Sequence, residues 1–341
     1  MYIYYMGSEL KLLSFKDCLA EVDKVPVVTI AESYDANLLY TFAVPTYCRT
    51  ETLRHTIDSI LEQKTDIKYN ILISDNNCER GDSTELFIKQ YYDEIPNLSY
   101  YKNSENVMPY GNWNRLFLLC KTKYLILIHD DDVLHPNYLG EMDKVLQKFP
   151  TAASINSKQI NWDGGEYNWP NCKGKRRVIC NNAYTNFAFF SSQAPSGCIY
   201  NVNDLRESGG FNGVLPYSYD YLNVFTMCLQ GKMLLNYDKP LVLYRVVHNM
   251  SSELKVQKSQ IDEDLALRLQ VAEKLGLPKW YVKFVVWLKT KSRLRNINQR
   301  HSLPVYKGYT PGGFIFMFIY KLFYWGYMKV WVEHMHCVAK L

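Results

Sequence analysis

The stretch IHDDDVLHP, Ile128–Pro136, sets Asp130, Asp131 and Asp132 side by side directly behind the apolar run Tyr124–Ile128. Unpaired buried carboxylates are costly, so the triplet needs a cation or water. Hard oxygen ligands suit a divalent ion, Mn²⁺ or Mg²⁺, whose remaining positions a diphosphate fills. A solvated turn in which Asp130 or Asp132 caps the next helix is the alternative that the triplet alone leaves open.

The surrounding elements decide where such a triplet sits. Residues 40–47, YTFAVPTY, read as a buried strand ended by polar residues, and Leu53, Ile57, Ile60 and Leu61 recur at helical spacing within 51–63. A second strand, YNILISDNN over 69–77, runs into an Asn-rich turn. A helix over 83–92, a short strand over 98–102, a helix near 113–120 and the strand 124–128 continue the alternation. Strands alternating with helices predict an α/β fold with a mostly parallel, Rossmann-like sheet flanked by helices. Ligands of such sheets sit beyond the carboxyl ends of the strands, which sends Thr46 to Arg49, Asp75 to Asn77 and Asp130 to Asp132 into one cleft. Residues 151–250, with Gly/Asn/Trp-rich loops, fit a mixed α+β lobe completing it, and 260–275 reads as an amphipathic helix.

Charge divides the 341 residues unevenly. Residues 1–273 hold 27 Lys/Arg against 33 Asp/Glu, whereas 274–341 hold 12 against 1. That last region is also aromatic (WYVKFVVWLK, FIFMFIYKLFYWGYMKVW), so it is expected to meet an anionic surface. The nine scattered cysteines form no CxxC pair, and MYIYYMGSELKLL lacks the basic start and apolar core of a signal peptide, which points to a reducing cytoplasm.

FAVPTYCRTETL before a helix, a strand ending in SDNN, ENVMPYGNWNRLF, YLILIHDDDVLHPNYL and SGCIYNVNDLRESGGFNGVLPYSYDYLNV resemble, in order and spacing, the family 2 glycosyltransferases of the GT-A fold. The resemblance runs from about Leu39 to Ser252. It implies a catalytic domain over 39–255, with a nucleotide-binding half at 39–150 and an acceptor half at 151–255. An N-terminal extension of 1–38 and a helical, basic and aromatic C-terminal region of 256–341 flank it.

By the same resemblance, Pro45, Thr46, Tyr47, Arg49 and Glu51 cup the nucleotide and Asp75 accepts a hydrogen bond from a uracil ring. Asn112 and Asn114 contact the donor, and Arg115 lies near its phosphates. Counting back from Pro136 makes Asp131 the metal ligand and Asp130 a ribose contact, with Asp132 in support and His129 where the family often has an aspartate. A literal Asp-x-Asp reading selects Asp130 and Asp132 instead. Asp220 matches the general base, although Tyr219 stands where glutamate is usual, and it could equally cap a helix over 221–229. LYRVVHNMSS resembles the closing motif in which a histidine, here His248, reaches the metal, with Arg245 offsetting phosphate charge.

The implied reaction is an inverting transfer from a nucleotide sugar, with UDP favoured, to a glycan or polyprenyl-diphosphate-linked acceptor. A metal-dependent nucleotidyl or phosphoryl transferase is the enzymatic rival, weakened by the absence of a P-loop and of a second carboxylate set. A non-catalytic nucleotide-binding module tethered to a membrane is the other. Phe314–Val332 is just long enough to span a bilayer, but Lys321, Lys329 and the many Tyr and Trp residues fit an interfacial anchor better. The expected place is peripheral, on the inner face of the cytoplasmic membrane. Self-association is a further use of that surface, and its continuous apolar runs favour lipid over nucleic acid.

Overall fold

Apolar residues of the central strands alternate between two cores. In the computed structural model, which describes residues 11–92, 95–170, 176–189, 193–247, 250–301 and 337–340, Tyr40, Phe42, Val44, Tyr124 and Ile126 enter one core while Ala43, Leu125 and Leu127 enter the other. This two-residue period, buried on both sides, is what a parallel sheet covered by helices requires.

After α1 (Cys18–Asp23) and β1 (Val27–Ala31), the strands β2 (Tyr40–Thr46), β3 (Tyr69–Asp75), β4 (Leu98–Asn103) and β5 (Tyr124–Leu127) alternate with α2 (Thr50–Leu61), α3 (Ser83–Tyr92) and α4 (Met108–Leu119). β3 runs parallel to β2 and β4, and β2 parallel to β5, so Thr46, Asp75 and the Asp triplet all leave the sheet at one end. Pro45 sits inside this central strand because pairing of β2 with β5 ends at Ala43 and Leu127, with Ile128 N–H donating to the Ala43 carbonyl. The N–H that proline lacks would face the opening beyond that point, where the sheet splits into a cleft.

The second half comprises β6 (Val133–Leu134), α5 (Tyr138–Lys148), β7 (Ser154–Trp162), β8 (Arg177–Asn181), α6 (Ala183–Phe189), β9 (Cys198–Asn201), α7 (Val202–Glu207), α8 (Tyr219–Leu229), β10 (Leu234–Arg245), α9 (Leu254–Lys274), α10 (Lys279–His301) and β11 (Cys337–Lys340). β9 pairs antiparallel with both β5 and β7, and β10 runs parallel to β7, which makes the sheet mixed.

Both ends of the chain differ from the sequence reading. Residues 11–38, read as an extension flanking the catalytic domain, contribute to the folded body: β1 adds antiparallel to β4 at the sheet edge, and buried Leu12 donates its N–H to Gln270 Oε1 at 2.9 Å. In the basic C-terminal region, α10 buries Val282, Val285, Leu288 and Ile297, and its residues Val282 and Val285 belong to a core shared with α8 and α9. β11, which the sequence did not suggest, pairs antiparallel with β8. Phe314–Val332 lies outside the described residues. Among those residues no helix is long and apolar enough to cross a membrane.

Candidate active site

The strand–turn junction at the Asp triplet is clamped from three sides. Thr56 Oγ1 of α2 donates to the Asp132 carbonyl at 2.8 Å, and the His129 N–H donates to Ser196 Oγ at 3.1 Å. β6 pairs with β10 at Val133 and Leu243, which brings the Arg245 N–H to Asp132 Oδ1 at 2.8 Å. Arg245 Nε donates to the Asp131 carbonyl at 3.1 Å while its guanidinium lies 4.4 Å from the Trp162 ring centre. Only glycine fits at 164, since its φ is +95° and a Cβ there would fall on that guanidinium.

The side chains then separate. Asp130 Oδ2 accepts from Thr46 Oγ1 at 2.8 Å, and Asp131 Oδ2 pairs with Arg49 at 2.6 Å. Asp132 is fully buried, and its Oδ2 makes no hydrogen bond. Burial raises Asp130 to about 7 despite the opposing pull of Arg49. Burial and then neighbouring Asp131 raise Asp132 well above the ordinary carboxylate range. His129, stacked on Trp113 at 5.1 Å, is pushed down to about 4 by burial and is a neutral imidazole.

His129, Asp131 and Asp132 offer ligand atoms that all lie within 4.8 Å of one another. His129 Nε2 and Asp132 Oδ2 are both buried without a hydrogen-bond partner, and two carboxylates with one neutral imidazole form a donor set suited to Mn²⁺. These residues therefore fit a divalent cation. His248 lies outside the described residues.

A cavity of about 840 Å³ opens beyond the strand ends, and Asp130 and Asp131 share its wall with Asp220. Asp220 stands in the first turn of α8, where its own N–H and that of Tyr221 reach its carboxylate. Burial outweighs those contacts and raises it to about 6. Asp220 does not cap the helix, since α8 already begins at Tyr219 with Ser218 at its N-cap; it stands inside the first turn with its carboxylate on the cavity wall.

Pro45, Thr46, Tyr47, Arg49 and Asn112 also line this cavity. Asn112 does so with its amide committed, since Nδ2 donates to the Ser74 carbonyl at 2.9 Å and Oδ1 accepts from Ser74 Oγ at 2.7 Å.

Four residues that the sequence assigned to the donor lie off this wall. Glu51 is exposed on α2 and does not reach the wall. Asp75 is fully buried, with Tyr100 donating at 2.7 Å, Asn77 N–H at 2.9 Å and Lys102 Nζ at 3.1 Å, so its acceptor capacity is used inside the protein. Asn114, two residues past Asn112 and on the opposite side of α4, holds the Phe211 N–H and carbonyl at 2.8 and 2.9 Å. Arg115 is buried and ties α4 to Asn103 Oδ1 at 2.9 Å and to the Val22 carbonyl, in the last turn of α1, at 2.8 Å.

Two features escaped the sequence reading. His129 as a cation ligand had a signal, its place between the apolar strand and the triplet. Arg293 and Ile297 of α10 reach the cavity wall through long-range packing that no local pattern announces.

The mixed, largely parallel sheet flanked by helices is the GT-A fold. Residues 41–198 match the model of Glycosyl transferase family 2, so that part of the chain is a glycosyltransferase domain of this family. Among solved structures the chain is similar to S. aureus TarS 1-349, at 14% identity and a TM-score of 0.55 over 80% of this chain and 76% of that one. TarS 1-349 in complex with UDP-GlcNAc also matches, at 14% identity and a TM-score of 0.53 over 87% and 77%. So does mannosyltransferase PcManGT from Pyrobaculum calidifontis in complex with GDP-Man and Mn²⁺, at 14% and 0.53 over 92% and 88%. No curated protein matches the sequence.

Proposed function

We propose that this glycosyltransferase moves a sugar, with inversion, from a UDP sugar to a hydroxyl of a glycan or lipid-linked oligosaccharide. The observation that carries the reading is the placement of Asp220 on the wall that also holds Asp130 and Asp131. A nucleotide sugar whose diphosphate lies at the triplet presents its anomeric carbon toward Asp220. The Asp220 carboxylate takes the proton of the acceptor hydroxyl as that oxygen bonds to the anomeric carbon. The bond from that carbon to the diphosphate oxygen breaks on the opposite face, and the electron pair leaves with the nucleotide diphosphate. His129, Asp131 and Asp132 would hold a divalent cation, which would supply charge stabilisation for the leaving diphosphate. Arg49 adds a fixed positive charge beside it.

The complexes of neighbouring folds with UDP-GlcNAc and with GDP-Man and Mn²⁺ support a nucleotide sugar and a divalent ion. The basic, aromatic sequence from Lys274 onward supports a seat on the inner face of the cytoplasmic membrane and a polyprenyl-diphosphate-linked acceptor. The test is a panel of UDP and GDP sugars, each with and without Mn²⁺, read by melting temperature and by slow donor hydrolysis. One UDP sugar should stabilise the protein only with metal and be hydrolysed. A protein indifferent to every nucleotide sugar in the panel would overturn the assignment.

A further inference from the structure

We infer that Arg293 recognises a negatively charged group, phosphate or carboxylate, on the acceptor beside the hydroxyl that attacks. This rests on the glycosyltransferase reading above and extends it to the chemical class of the acceptor.

Val285, Lys289, Arg293 and Ile297 recur every four residues along α10, so they share one face. Val285 and Lys289 are buried inside the body, and Arg293 and Ile297 reach the cavity wall at the other end of that row. The Arg293 side chain is 14% exposed, with Nη1 donating to the Gln260 carbonyl at 2.9 Å and Nη2 3.8 Å from Asp264 Oδ1. Its guanidinium lies 5.6 Å from the ring centre of Tyr221, the residue after Asp220. A cation is therefore fixed on the cavity wall beside the turn of α8 that carries Asp220.

The surrounding charges explain what such a cation is suited to meet. Asp264 faces Arg268, Lys289 and Arg293 together. Glu263 accepts from the Tyr217 N–H at 3.1 Å and the Ser259 hydroxyl at 3.1 Å. When Asp220 takes the acceptor's proton, the wall beside Arg293 loses a negative charge. An anionic group on the acceptor restores it, and a planar guanidinium binds phosphate or carboxylate through paired hydrogen bonds. That group has two possible sources, the diphosphate of a lipid-linked acceptor or an acid borne by the glycan itself.

The test uses the full chain saturated with UDP and Mn²⁺ and measures by calorimetry the binding of methyl glucoside, methyl glucuronide and glucose 6-phosphate. The charged sugars should bind at least about tenfold more tightly than the neutral one, and Arg293→Gln should erase that preference. Arg293→Lys, which keeps the charge without the fork, should retain part of it. Tighter binding of the phosphate than of the glucuronide points to the lipid diphosphate, and the reverse to an acidic glycan. Equal binding of neutral and charged sugars by the unsubstituted protein overturns the inference, as does a preference that survives in Arg293→Gln. If UDP itself does not bind, the UDP-donor reading fails instead. The comparison is then made on the nucleotide-free protein, with Arg49→Gln as the control for anions bound at the triplet.

Discussion

The Arg49 guanidinium lies 2.6 Å from Asp131 Oδ2 and 3.5 Å from Asp130 Oδ1. Asp131 also belongs to the group of residues fit to hold a divalent cation, so guanidinium and cation address the same carboxylate. Arg49→Gln should therefore bind Mn²⁺ severalfold more tightly without nucleotide, while the metal-free variant melts lower because the triplet has lost its counter-charge. Titration by electron paramagnetic resonance and a melting curve without metal check both. Unchanged Mn²⁺ affinity would show that the pair and the ion do not compete.

Asp220 gives a prediction with a pH sign. Burial raises it from 3.8 to about 6, so the deprotonated base is present only above that pH, and transfer should rise with pH through a midpoint near it. Asp220→Asn should keep the fold and nucleotide binding and lose turnover by roughly 10²- to 10⁴-fold. Stability should move the other way. A carboxyl raised in the folded state contributes stability below its unfolded value, and that contribution is lost as pH rises through about 6. Asp220→Asn should then melt higher than the unsubstituted protein at pH well above this point. A variant with near-normal transfer removes Asp220 from the role.

The β/α alternation was legible because its strands are continuous apolar runs and its helices repeat at 3.6 residues, and the polar residues after β2 and β5 reached the cleft that this pattern implies. What stayed illegible is which side chains spend their polarity inside the protein. Asp75 and Asn112 both follow from strand-end or helix positions near the cleft, yet each is engaged by residues distant in sequence, Lys102 and Tyr100 for the first and Ser74 for the second. Asn114 and Arg115 failed for the same reason, since their partners Phe211 and Val22 lie about a hundred residues away in either direction. The basic composition of 274–341 gave one electrostatic object, whereas packing assigns α10 to the body by burying its aliphatic face.

Asn114 supplies a test of that distinction. It satisfies both backbone groups of buried Phe211, and Asn114→Ala leaves both without partners, at a cost of about 2–3 kcal/mol. The melting temperature should fall while the Michaelis constant for the donor stays unchanged. A raised donor constant with unchanged melting would return Asn114 to the nucleotide.

The C-terminal region separates a folding role from a membrane role at a definable residue. α10 buries Val282, Val285, Leu288 and Ile297, the first two in a core shared with α8 and α9. Each such side chain contributes about 1.5–3 kcal/mol, which together rivals the whole stability of a typical domain, about 5–15 kcal/mol. A chain ending at residue 273 should therefore lose cooperative melting of its acceptor half. A chain ending at residue 301 retains α10 and gives up only β11 and the segment before it, so it should still melt cooperatively. If residues 302–336 are the membrane anchor, the 301 chain should no longer float with anionic vesicles, whereas the full chain floats with them and is released by salt. Flotation of both chains alike would place the membrane contact, if there is one, on the folded body. Cooperative melting of the chain ending at 273 would remove α10 from the core.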